Sequence, residues 1–337
     1  MSLDLSEANH IATDISSSND RPTSAFIPEI CNPETCYDGS SPIFRLLRLE
    51  TWGSPLMNLG YFPFRGPLAC FNLLASLERA QQRLVIKSVG LLQLQHDERV
   101  LDLACGRGKS SFIMNCLYPQ AAVVGVDLLE RHIQAARTLF GQSRRLSYAT
   151  GNAMRLPFLN ASFDRVLCLE AAFHFSDRTQ FLREAYRVLS PGGRLVVVDF
   201  AWSTDADRVH RLDPETRMVR QAWQWEDFFS VQEYQTVAAS LGFRVTGSHD
   251  WSRRVTAPIQ AQLRCVSTLS QSQWGRRLLC WNNPLYRSLS RDDWGDCRAA
   301  AHAHKHVQRH SKYMAFVFEK SVASATTART SDRRQLL

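Results

Sequence analysis

Apolar and polar positions divide the chain into stretches of different character. Residues up to about 40 are rich in Ser, Asn, Asp, Pro and Thr without periodicity, so 1–40 reads as a disordered tail. From Pro42 the chain turns apolar. A helix is predicted from Pro67, a favoured first-turn residue. Leu68, Phe71, Leu74 and Leu77 recur there at helical spacing, Arg79, Arg83 and Lys87 fall on another face, and Gly90 marks the end. Residues 41–95 thus form a predicted N-terminal helical lid. Over 96–247, short apolar runs alternate with amphipathic ones. Strands are predicted at Arg99–Ala104, Ala122–Val126, Leu146–Thr150, Arg165–Leu169, Arg194–Asp199 and Phe243–Gly247, with helices near 109–118, 129–140, 178–189 and 230–241. That alternation implies a parallel sheet. A last strand is predicted at Tyr313–Phe318, within 313–320. The intervening 248–312 is Trp-rich and basic, too long for a plain connection, and is predicted to form a helical cap. The Ser/Thr/Ala/Arg-rich 321–337 is a predicted flexible tail.

The most informative turn is Leu101-Asp102-Leu103-Ala104-Cys105-Gly106-Arg107-Gly108-Lys109-Ser110. A buried strand breaks at small residues and resumes as a helix, so a ligand can reach bare backbone and the helix's unpaired N–H groups. A dinucleotide fingerprint would need a third glycine where Lys109 stands, and a P-loop would need glycine where Leu103 stands. Next, Val123-Val124-Gly125-Val126-Asp127 ends on an acid roughly twenty residues past the glycine turn, where doubly wound folds bind ribose hydroxyls. An N-cap for the following helix is the other use of Asp127.

The turn resembles that of class I S-adenosylmethionine-dependent methyltransferases, with Ala104 in place of the first glycine and a slight tightening expected. Three further motifs follow in that family's order. Gly151-Asn152-Ala153-Met154-Arg155-Leu156-Pro157-Phe158 is similar to its adenine-reading segment, with Asn152 replacing an acid. Ser162 to Phe175 comes next, and then Arg187-Val188-Leu189-Ser190-Pro191-Gly192-Gly193. The resemblance covers about 96–200 and looks closest to the branch acting on natural products and lipid-like phenols. It implies an α/β, Rossmann-like, doubly wound, mostly parallel seven-stranded sheet with helices on both faces and a helical cap.

The same resemblance implies S-adenosyl-L-methionine as cofactor. Ala104 and the backbone amides near Gly106 and Gly108 would line its methionine end, and Asp102 would face its amino group. Asp127 and Leu128 would take the ribose and its surroundings, Asn152 and Ala153 the adenine edge, and Tyr61 would close over it from the lid. An asparagine turn is the plain alternative for Asn152. His174, after the fourth strand, is the leading candidate to accept a proton from a hydroxyl acceptor. A ring packed between Phe173 and Phe175 is its alternative. Glu170 is the second catalytic candidate. The expected activity is methyl transfer to a small, largely apolar acceptor, at oxygen, in secondary or lipid metabolism. Methylation at carbon or nitrogen, or a non-catalytic cofactor-binding role, stand as rivals, and a nicotinamide oxidoreductase is disfavoured by Lys109.

Composition changes this picture little. At 337 residues and 45% hydrophobic the chain suits an ordinary globular protein. No membrane-span-length apolar run or basic-then-apolar leader appears, so a cytoplasmic protein is expected. Nine cysteines without a C-x-x-C pair argue against a disulfide framework. Cys70, Cys105, Cys116 and Cys168 read as small buried hydrophobes. The net charge of +8 concentrates late in the chain, where a solvated basic face is expected. Peripheral membrane contact stays open and nucleic acid is not expected. Trp251, Trp274, Trp281 and Trp294 could rim a pocket, meet a membrane or pack in the cap. His302, His306 and His310 stand four residues apart with no acid among their sequence neighbours, so no metal is expected.

Overall fold

A computed structural model describes residues 56–63, 77–282, 286–287 and 289–322. The start of the helix predicted at Pro67, the predicted tail 1–40, residues 323–337 and Cys70 lie outside them. The elements in order are α1 (Leu77–Leu92), β1 (Arg99–Leu103), α2 (Lys109–Leu117), β2 (Ala122–Asp127), α3 (Glu130–Phe140), β3 (Leu146–Thr150), β4 (Phe163–Leu169), α4 (Arg178–Val188), β5 (Leu189–Trp202), α5 (Pro214–Trp223), α6 (Val231–Ser240), β6 (Phe243–Asp250), α7 (Thr256–Leu269), α8 (Gln273–Asn282), α9 (Arg291–His310) and β7 (Ser311–Lys320). Two 3₁₀ turns, Ala172–His174 and Ala206–Leu212, join them.

The seven strands run in the order β3-β2-β1-β4-β5-β7-β6, parallel except for β7, which is antiparallel to both β5 and β6. Successive strand residues serve opposite faces, and both faces are apolar because both are covered. Val100, Val123, Leu167 and Val196 pack with Leu84 and Val89 of α1, Met114 of α2 and Ile133 of α3. Leu101, Leu103, Val166 and Val197 pack with Phe181 and Ala185 of α4 and Tyr234 of α6. The sheet is therefore doubly wound, as the sequence pattern implied.

The structure departs from the pattern chiefly after β5. That strand is fourteen residues long, far beyond the predicted Arg194–Asp199, because β7 pairs along it from Arg194 to Trp202. The 3₁₀ turn at Ala206–Leu212 and α5 follow, neither of them predicted. In α5 only Thr216, Val219 and Ala222 are buried, a narrow stripe of mostly small residues that gives a weak periodic signal. The helix packs on α9, where Ala222 meets Ala300. Cap-like helices thus lie on both sides of the predicted 248–312 segment boundary. Cys105 and Cys168 are buried as expected, whereas Cys116 is exposed. No described helix is long and apolar enough to cross a membrane.

Candidate active site

Strand order reverses between β1 and β4, the point where doubly wound sheets bind ligands. There the C-terminal ends of β1, β2 and β4 open into a cavity of about 1260 Å³, open mouth included. One side is built by the turn after β1. Alternate residues are left-handed: Ala104 at φ 54°, Gly106 at 54° and Gly108 at 81°. Ala104 accepts a conformation that costs an L-residue on the order of 1 kcal/mol, so the substitution for glycine keeps the turn and strains it. A Cβ on Gly108 would come within 2.6 Å of the Ala136 side chain and 2.7 Å of Tyr148. Its carbonyl accepts the Tyr148 hydroxyl at 3.2 Å. Gly108 therefore sets how closely α2 and α3 approach and lies outside the cavity wall. At Gly106 a Cβ would sit 2.3 Å from Met57 Cε, so the N-terminal segment closes directly over bare backbone.

Two acids hold this half together. Asp127 Oδ2 accepts the Gly106 N–H at 2.9 Å, and Oδ1 accepts the Leu129 N–H at 3.0 Å with His132 Nδ1 at 3.1 Å. A carboxylate offers about four acceptor positions, so these three leave room for roughly one more donor. Asp127 does help start α3, and it lines the cavity as well. Asp102 accepts the hydroxyls of Ser110 and Ser111, both at 2.6 Å. Burial pushes its pKa up to about 6, opposed by those two hydrogen bonds. Asn152 Oδ1 accepts the Met154 N–H at 2.8 Å, the turn geometry that was the plain alternative, while the residue still borders the cavity beside Ala153. Leu128 is 49% exposed there.

The other side carries Glu170 and His174. Glu170 sits at φ 50°, strained for a residue with a side chain. Both its carboxylate oxygens accept the Leu59 N–H, at 3.1 and 3.0 Å, and one also accepts the Tyr313 hydroxyl. Burial pushes its pKa up to about 8 despite these donors. His174 Nδ1 lies 3.0 Å from the Gln224 carbonyl. A carbonyl can only accept, so the proton sits on Nδ1 and Nε2 is the acceptor nitrogen. Burial lowers the pKa to about 4, which keeps the ring neutral. The ring also packs 4.2 Å from that of Phe173, while Phe175 meets Phe181 edge-on.

Tyr61 is not brought to this cavity. Its ring meets Trp251 edge-on at 5.6 Å and lies under the Arg254 guanidinium, and its amide is fixed to the Ala80 carbonyl at 2.8 Å. Met57 and Asn58 take the place assigned to it. Asn58 is buried, its carbonyl accepting Gln81 Nε2 at 2.7 Å. Cys105, His132 and Glu226 also line the cavity without having been singled out. His132 carried a findable signal, five residues after Asp127 on the first turn of a helix. Of the late tryptophans, Trp294 is buried, Trp251 is half-buried, and Trp274 and Trp281 are each 79% exposed on α8.

Residues 101–197 match the methyltransferase domain family. The chain is 31% identical over 189 residues to 27-O-demethylrifamycin SV methyltransferase of Amycolatopsis mediterranei, covering 53% of this chain and 66% of that one. It is 33% identical over 175 residues to the O-methyltransferase resE of Aspergillus sclerotiorum, covering 50% and 64%. The chain thus spans somewhat less than two thirds of the length of these curated relatives. Among solved structures, the [4+2]-cyclase SpnF superposes with a TM-score of 0.61 at 19% identity, over 89% of this chain and 100% of that one. Geranyl diphosphate C-methyltransferase from Streptomyces coelicolor, holding S-adenosyl-L-homocysteine, does so at 0.61 and 15% identity, over 86% and 96%. At these identities the likeness is one of fold.

Proposed function

We propose, for a chain whose core belongs to the class I S-adenosylmethionine-dependent methyltransferase family, that it moves the methyl group of that cofactor onto an oxygen of a small, largely apolar acceptor. The observation that carries this reading is one cavity with two unlike sides. The bare backbone of Gly106 and the carboxylate of Asp127 line the same mostly apolar space as Glu170 and His174. We place the protein in the cytoplasm, in secondary or lipid metabolism.

When bound, the cofactor supplies a methyl carbon already activated by a positive sulfur. The chain's task is then to align the acceptor and keep water out. In this reading Gly106 presents its bare backbone to the methionine end, with Ala104 beside it and Asp102 behind. Asp127 offers its remaining acceptor position to a ribose hydroxyl, Leu128 gives apolar contact, and Asn152 and Ala153 meet the adenine. Gly108 contributes only the shape of the turn, and Met57 with Asn58 replaces Tyr61 as the lid contact.

His174 Nε2 receives the acceptor's proton. Glu170, with a pKa near 8, holds its own proton at neutral pH and serves better as a positioning group held by Leu59 and Tyr313. A base with a pKa near 4 is weak. It therefore suits a hydroxyl that is itself acidic, phenolic or enolic, better than a simple alcohol. The O-methyltransferase name of the Aspergillus relative supports oxygen as the acceptor atom.

Calorimetry with S-adenosyl-L-methionine, followed by incubation with a panel of phenols and enols and mass spectrometry for a gain of one methyl group, tests the reading. Tight binding with no methylated product in any class would leave a cofactor-holding protein without transfer. No binding would end the proposal outright.

A further inference from the structure

We propose that His210, His306 and His310 form a binding site for a divalent transition ion of the zinc class. Such an ion would clip the 3₁₀ turn after β5 to the end of α9. His210 lies in the turn Ala206–Leu212, and the other two lie in the last turns of α9. The three rings are half-buried. One ring nitrogen of each lies within 4.8 Å of one from each of the others. Zinc–nitrogen bonds of about 2.0–2.1 Å hold tetrahedral donors roughly 3.3 Å apart, so small rotations of half-buried rings close the gap.

Two carboxylates flank the three rings. His210 Nδ1 and His306 Nε2 lie 2.8 and 2.7 Å from the same oxygen of Asp213. His310 Nδ1 lies 3.2 Å from Asp207. The His210 and His310 rings stack with centroids 3.5 Å apart. A neutral imidazole that gives its N–H to a carboxylate keeps a lone pair on the other nitrogen. Carboxylates in this relation orient the histidines of metal sites. Asp213 and Asp207 thus stand within hydrogen-bond distance of the three rings, where carboxylates can balance a bound cation. Three imidazoles with a carboxylate suit zinc. Calcium and magnesium prefer oxygen donors.

The four-residue spacing in sequence groups His302, not His210, with His306 and His310. His302 is exposed, and His304 accepts the Trp223 indole N–H at 2.7 Å. Neither joins the cluster, whereas His210 and both acids arrive from about a hundred residues earlier in the chain. The clip bears on the acceptor side of the cavity. Asp213 stands at the N-cap position of α5, which ends beside Gln224, and the Gln224 carbonyl holds His174. Val307 of α9 packs with Phe173.

The test uses the full chain, freed of any affinity tag and stripped with a chelator. Zinc binding is followed by calorimetry, cobalt(II) by its visible absorption, and stability by thermal denaturation. We expect one equivalent per chain, a four-coordinate cobalt spectrum and a raised Tm, with no such rise on adding magnesium. His306→Gln combined with His310→Gln should weaken zinc at least about tenfold, with binding of S-adenosyl-L-methionine unchanged. Absence of zinc binding to the natural chain would overturn the proposal and leave a hydrogen-bonded ion-pair network only. Unaltered binding by the double variant would overturn it equally. Should that variant fail to fold, the cobalt spectrum of the natural chain decides alone. Zinc binding is independent of methyl transfer, so failure of one leaves the other standing.

Discussion

The two sides of the cavity are built by different means. The side proposed for the cofactor is nearly local. Gly106 reaches Asp127 across 21 residues, Asp102 meets Ser110 and Ser111 eight and nine residues on, and Asn152 serves its own turn. The side proposed for the acceptor is assembled from afar. Glu170 is held by Leu59, 111 residues earlier, and Tyr313, 143 later, while His174 is held by Gln224, 50 residues on. The first side can be kept while the second is rebuilt around a new acceptor, because few contacts of one depend on the other.

Substitutions that strike one side should therefore spare the other. The largest effect is expected at His174. His174→Ala should lower turnover by about a hundredfold or more, the range of general base catalysis, with donor affinity unchanged in calorimetry. Unchanged turnover would remove His174 from the chemistry. Next comes Asp127→Ala, which deletes a charged acceptor and unties Gly106. Donor affinity should fall about 10- to 100-fold, from a loss of roughly 1.5–3 kcal/mol. If donor binding survives, the cradle is misassigned.

A smaller effect separates the two sides by pH. Glu170 holds its proton in the folded state up to about pH 8, against 4.5 for an ordinary glutamate. The folded chain thus binds more protons than the unfolded one across that interval, and stability should fall as pH rises through it. Glu170→Gln should flatten that fall, so thermal denaturation near pH 5 and near pH 9 would show the variant gaining on the natural chain at the higher value. An equal difference at both would mean Glu170 is not perturbed. The smallest effect is Ala104→Gly. Relief of the left-handed strain, offset by glycine's larger unfolded-state entropy, should raise stability by less than about 1 kcal/mol, leaving turnover unchanged. A marked loss of donor affinity instead would show that the methyl group of Ala104 itself contacts the ligand.

Much of this was legible before folding. Apolar runs alternating with amphipathic ones place the strands and their flanking helices, since a side chain's face follows from its position along a strand or helix. The glycine turn and Asp127 are legible for the same reason, being a few residues of backbone conformation and one short crossover. Helix α5 escaped because only Thr216, Val219 and Ala222 of it are buried, a stripe too narrow to show as a period. Tyr61 looked like a lid residue, but its place depends on Trp251 and Arg254, nearly two hundred residues away. What the chain determined by itself is the sheet, its winding and the glycine turn tied to Asp127, because those rest on periodicity and neighbours in sequence. Only tertiary structure decided the tautomer of His174, the protonation of Glu170 and the gathering of His210 with His306 and His310, because burial and hydrogen bonding between distant segments set them.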